Sequence, residues 1–135
     1  MKKLVLIALV VIFCSTFFTA LAENNTPDKS IYEYAFKREC SEYTIYYLFD
    51  IDGGITRCFA TNDNGVLVGT ITGTLETTIE ICYMEGWYES FKLKDPEKNT
   101  AILIDSFGFE WEYELSTIEE AEEILNQDSY YDMEL

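Results

Sequence analysis

Between residues 43 and 115 hydrophobic and polar side chains alternate with a period of two, interrupted at short intervals by turn residues. In Leu75–Tyr83, Leu75, Thr77, Ile79, Ile81 and Tyr83 fall on one parity and Glu76, Thr78, Glu80 and Cys82 on the other. This is the signature of a strand with one wet face. Tyr43–Ile51 places Tyr43, Ile45, Tyr47, Phe49 and Ile51 on one side, and Asp52-Gly53-Gly54 then breaks the run with residues that tolerate positive φ. Ile55–Thr61 is therefore expected to return as a hairpin partner. Asn62-Asp63-Asn64-Gly65 marks a second turn before strands at Val66–Thr72 and Leu75–Met84. After Glu85-Gly86, the series Trp87, Glu89, Phe91 and Leu93 alternates with Tyr88, Ser90, Lys92 and Lys94. A polar loop around Pro96 leads to Thr100–Asp105, and Gly108 to a last strand, where Phe109, Trp111, Tyr113 and Leu115 alternate with Glu110, Glu112 and Glu114. Val66 and Val68, Phe91 and Leu93, and Trp111 and Tyr113 are the expected interior companions of Ile79 and Ile81.

Helical spacing is confined to the flanks. Ser30, with Glu33 three residues on, has the spacing of a capping box, and Ile31, Tyr34, Ala35 and Arg38 can share a helical face. This predicts a short helix over about 31–38, with an edge strand as the alternative. Ser116-Thr117-Ile118-Glu119 repeats the capping spacing and opens a helix over about 117–126, striped by Ile118, Ala121, Ile124 and Leu125. Residues 127–135 read as an acidic tail. The expected fold is mainly β: a seven-stranded antiparallel meander closed into a small barrel or curved into a half-barrel, with a short N-terminal helix and a C-terminal helix. Helices only at the ends exclude a doubly wound α/β fold.

The run Phe49-Asp50-Ile51-Asp52-Gly53-Gly54 resembles the Phe-x-x-Asp-Gly-(Thr/Gly) hairpin of small bacterial lipocalin-like secreted proteins. Gly69-Thr70-Ile71-Thr72-Gly73-Thr74-Leu75 and the Gly108 hairpin leading into Phe109–Leu115 resemble the rest of their meander. The likeness covers roughly residues 43–115 and rests on turn chemistry. It implies an exported β-barrel, often without a known ligand, and brings no functional residue with it.

The first 22 residues change the compartment. Lys2 and Lys3, the apolar run Leu4–Phe18 and Ala20-Leu21-Ala22 have the order of a cleaved signal peptide, so the mature chain is expected to begin at Glu23 with a flexible leader over 23–29. An uncleaved anchor is the competing reading. Without that segment, seven basic and 25 acidic side chains remain, a formal charge of −18. Such a charge repels nucleic acid and anionic lipid and leaves cationic partners, divalent ions or plain solubility. The expected location is extracytoplasmic, periplasmic or secreted, with no membrane span after cleavage. Export also permits one disulfide among Cys40, Cys58 and Cys82, in any of three pairings.

Histidine is absent, which removes the usual base of a nucleophilic triad and the usual imidazole ligand. Glu76 with Glu80, and Glu110 with Glu112 and Glu114, sit on wet parities and read as solvated faces rather than acid/base pairs. No catalytic residue is assigned. Asp50, Asp52 and Asp63 are the candidates for a calcium site, against their ordinary use in turns. Tyr47, Phe49, Trp87, Phe91, Trp111 and Tyr113 are core aromatics that would also line a pocket for a small apolar ligand. The expected function is a non-catalytic exported module that binds a small apolar ligand or a protein. An acidic inhibitor of a cationic secreted enzyme is the alternative, and a carboxylate-only hydrolase a third reading.

Overall fold

The computed structural model describes residues 30–95, 97, 99–127 and 129–135. The expected signal segment 1–22 and leader 23–29, and Pro96 of the polar loop, lie outside the described residues. Eight strands follow one another as β1 (Tyr34–Glu39), β2 (Thr44–Asp50), β3 (Ile55–Ala60), β4 (Asp63–Gly73), β5 (Ile79–Met84), β6 (Trp87–Asp95), β7 (Thr100–Ile104) and β8 (Glu110–Ser116). Helix α1 (Ile118–Leu125) and a two-residue strand β9 (Tyr131–Asp132) complete the chain. Each of β1 to β8 pairs antiparallel with its neighbour in sequence. β8 returns to β1 through Ala35↔Ser116, Phe36↔Leu115 and Lys37↔Glu114. The sheet is thus a closed up-and-down barrel without a free edge of its own.

Eight strands stand where seven were expected, and the barrel is closed rather than half-open. The additional strand is β1, which occupies the place of the predicted helix over 31–38. Its two faces are both covered: Tyr34 and Phe36 point into the barrel, while Ala35 packs outside under α1. A strand apolar on both faces has no period-two pattern, so the sequence mimics a helical stripe. The capping residues are used otherwise. Ser30 Oγ accepts from the Tyr32 amide at 3.1 Å, and Glu33 Oε2 accepts from the Ile51 amide at 2.6 Å.

The same cause moves β4. Val66 and Val68 face outward under the helix, and Leu67 and Ile71 face inward instead. β4 also begins at Asp63, within the predicted turn, because Thr61-Asn62 alone makes the reversal. β5 begins only at Ile79; Thr74–Thr78 forms a turn closed by Thr77 N–H donating to Thr74 O at 3.3 Å. Gly73 sits at φ 92°, and a Cβ there would run into the Thr78 carbonyl, so glycine is required at this corner.

The barrel interior is a packed aromatic core. Phe91 is fully buried, and its ring centroid lies 5.0 Å from those of Phe36 and Phe49, 5.6 Å from Tyr47 and 5.7 Å from Tyr113. Ile71, Ile79, Ile81, Ala101 and Leu103 fill the space around these rings. A second core lies on the outer wall, where Ala121, Ile118, Ile124 and Leu125 of α1 cover Ala35, Tyr46, Leu48, Phe59 and Val66. Thr117 caps this helix by accepting from the Glu120 amide at 3.2 Å, and Glu120 then accepts from Tyr46 Oη at 2.8 Å and Lys37 Nζ at 3.1 Å. β9 adds to β4 in parallel at Gly65 and Val66, beyond the point where β5 ends, with Arg57 paired to Asp132 at 3.4 Å.

Cys40, Cys58 and Cys82 are free thiols. Cys58 packs against the interior core, whereas Cys82 lies between inward-facing Ile81 and Tyr83 and so faces outward. Those two cannot bridge without rebuilding the wall.

Candidate functional site

The two ends of the barrel differ in chemistry. At the α1 end, the turns 51–54 and 74–78, the end of β6, the start of β7 and the start of the helix meet. At the far end, the connections 40–43, 61–62, 85–86 and 105–109 meet.

At the α1 end, the segment before β1 is drawn across the mouth by two bonds from and to Glu33: its amide donates to Phe49 O at 2.9 Å, and its carboxylate receives the Ile51 amide. Asp50 Oδ1 accepts from the Gly53 amide at 2.8 Å, which together with φ 68° at Gly54 fixes the neighbouring turn. Leu75, 4% exposed, drops from its own turn onto the core and forms a floor. Above it opens a cavity of about 450 Å³ with apolar walls from Tyr34, Leu75, Leu93, Leu115 and Ile118, and with Glu33 and Glu76 among its lining. A smaller cavity of about 230 Å³ shares Glu33, Tyr34, Leu75 and Glu76 and extends to Ile51 and Asp52. The larger volume falls within the range of about 300–1,000 Å³ typical of small-molecule sites.

At the far end, polar groups point into the aromatic core. Tyr47 Oη donates to Glu89 Oε1 at 2.9 Å. The Tyr83 hydroxyl is buried without a hydrogen-bond partner among the described residues, although Glu89 and Tyr47 lie close enough to influence its ionisation. Burial raises the Glu89 carboxyl above its ordinary value, against the opposing bonds of the tyrosines. Burial likewise pushes the Cys58 thiol up to about 12. That thiol stays protonated at neutral pH, which disfavours it as a nucleophile. At the rim of this end, Arg38 lies 4.2 Å from the Trp111 ring centroid, and Trp111 Nε1 donates to Asp105 Oδ2 at 2.8 Å. Asp105 is held below the usual carboxylate range, first by that bond and then by amides of its own hairpin.

The expected site residues are therefore divided. Tyr47, Phe49, Phe91 and Tyr113 are buried core. Trp87 packs on Tyr83 with ring centroids 5.0 Å apart, and Trp111 is 37% exposed at the far rim. None of the six lines the α1-end cavities described above. Asp50 and Asp52 share one turn at the α1 end, but Asp63 starts β4 at the far end, about 20 Å away along the strands. Asp63 Oδ1 instead accepts from the Gly65 amide at 2.9 Å. Among the described residues no group of three or more Cys, Asp or Glu side chains is placed to hold a metal ion. Acidic side chains occupy both ends, with Glu33, Asp50, Asp52 and Glu76 at one and Glu39, Asp63, Glu85 and Asp105 at the other.

The mouth has no signature in the sequence because its lining comes from Glu33 before β1, a turn, the ends of three strands and a helix start. Glu89 was visible in principle, as an acid set between Trp87 and Phe91 on the apolar parity of β6. Among the described residues no helix is long and apolar enough to cross a membrane. No protein-family model, no curated protein and no solved structure matches this chain.

Proposed function

We propose that this chain is an exported, non-catalytic β-barrel module that receives a small apolar ligand at the α1 end. The observation that carries the reading is the cavity of about 450 Å³ walled by Tyr34, Leu75, Leu93, Leu115 and Ile118. The binding surface thus differs from the aromatic set expected from sequence. Four of those rings, Tyr47, Phe49, Phe91 and Tyr113, are committed to one another at 5.0–6.0 Å and serve as the scaffold beneath the mouth. The acidic-inhibitor reading gains less support, because the acids are shared between both ends rather than gathered on one rim.

The test uses the neutral fluorophore N-phenyl-1-naphthylamine. The wild-type protein should enhance its emission, and Leu115→Trp should reduce that enhancement severalfold, because Leu115 is 44% exposed and an indole there occupies the mouth without disturbing the core. Equal enhancement by both proteins refutes the mouth as the site. Export rests on Leu4–Phe18 and Ala20-Leu21-Ala22, and N-terminal sequencing of the exported protein should begin at Glu23.

A further inference from the structure

We propose that the ligand of the α1-end mouth is a cationic amphiphile, an organic amine with an apolar body, an inference that rests on the mouth being the small-ligand site. The cavity walls supply apolar area from Tyr34, Leu75, Leu93, Leu115 and Ile118. Among the described residues, the charged side chains that line it and its smaller extension are Glu33, Asp52 and Glu76, all of one sign. A larger open groove beside them, about 880 Å³, shares Glu33 and Asp52 and adds Asp50. Among the described residues, no lysine or arginine lines any of the three cavities.

The carboxylates are not equally spent. Glu33 Oε2 is committed to the Ile51 amide, and Glu33 Oε1 has no hydrogen-bond partner among the described residues. Asp50 Oδ1 is committed to the Gly53 amide. Asp52 and Glu76 are exposed at the rim and hold no salt bridge among the described residues. By contrast, Glu39, Glu112, Glu120 and Asp132 on the outer wall are each paired with a lysine or arginine. An apolar chain in the cavity leaves its head group among unpaired carboxylates: an ammonium is attracted there, an alcohol is indifferent and a carboxylate is repelled.

The experiment compares octylammonium, octanol and octanoate, which share a body and differ in head group, by calorimetric titration at low salt. Octylammonium should bind about tenfold more tightly than octanol, given about fivefold at most for each partly exposed charge. Octanoate should bind most weakly, and the ratio should shrink as salt is raised. In the double variant Asp52→Asn/Glu76→Gln the ratio of octylammonium to octanol affinity should fall towards one. Glu80→Gln, a charge change on the outer wall of β5, should leave it near tenfold. A wild-type ratio near one overturns the amine assignment while leaving the mouth as a neutral ligand site. A ratio that Glu80→Gln lowers as much as the rim variant assigns the preference to overall charge and also overturns it. Failure of all three probes to bind, or binding unaffected by Leu115→Trp, removes the mouth reading itself.

Discussion

Phe91→Ala measures whether the barrel interior is scaffold or pocket. Phe91 is fully buried and packs against four rings, Phe36, Tyr47, Phe49 and Tyr113, from three other strands. Truncating a phenylalanine in such a site costs about 3–5 kcal/mol, part from lost apolar burial and part from the hole left behind. A domain's whole stability is about 5–15 kcal/mol, so the variant should be close to unfolding. For a domain of roughly 100 residues the loss corresponds to a melting temperature lower by about 15–25 °C. Phe91→Leu keeps most of the volume and forfeits the ring contacts, and should cost about 1–2 kcal/mol. Urea unfolding followed by tryptophan fluorescence reads both, since Trp87 and Trp111 report on the far end. The order wild type, Leu, Ala at constant m-value is expected. A Phe91→Ala cost below about 1 kcal/mol at unchanged m-value would refute a filled interior.

Three further outcomes follow from single contacts. Burial raises the Glu89 carboxyl above its ordinary 4.5, so the folded state binds the proton more tightly than the unfolded chain. Its stabilising contribution is complete below the unfolded value and is lost as pH rises through the folded one. Glu89→Gln should therefore gain stability relative to wild type between acid and neutral pH, in paired urea titrations; a parallel pH dependence contradicts the assignment. Native labelling with a thiol reagent should spare Cys58, whose thiol is pushed up to about 12 by burial, and reach it only on unfolding. Mass-mapped early modification of Cys58 contradicts this. A Cβ at Gly65 would press on the Met133 thioether, so Gly65→Val should release the tail while the barrel stays folded. Loss of protection of the Met133 amide, which donates to Val66 O at 2.8 Å, is the readout in hydrogen exchange.

The strands with one wet face were legible from their alternation. Ile79, Ile81 and Tyr83 of β5 and Tyr47 and Phe49 of β2 point inward as their parity requires. β1 was hidden because α1 covers its outer face, which replaces the polar half of the pattern with Ala35 and the partly buried stem of Lys37. Val66 and Val68 misled for the same reason, being apolar residues that serve the outer core. The mouth was illegible because no periodicity links Tyr34, Leu75, Leu93, Leu115 and Ile118; only closure of the barrel gathers them. Asp63 belonged to a genuine turn pattern, yet strand direction carried it to the opposite end from Asp50 and Asp52.

The seam between β1 and β8 has a kinetic consequence. Its three residue pairs join Ala35–Lys37 to Glu114–Ser116, the most distant strand contacts in the chain, while every other barrel pairing is between sequence neighbours. Bringing segments about eighty residues apart together carries a loop-closure entropy of about 4 kcal/mol. Pairing can zip from hairpin to hairpin with little such cost, so the meander can assemble as an open sheet and the seam is the step left over. α1 follows β8 directly and lies over β1, where Glu120 receives Lys37 Nζ at 3.1 Å. The helix thus serves as the latch of a late-closing sheet, and weakening it should slow folding at the final step rather than the first.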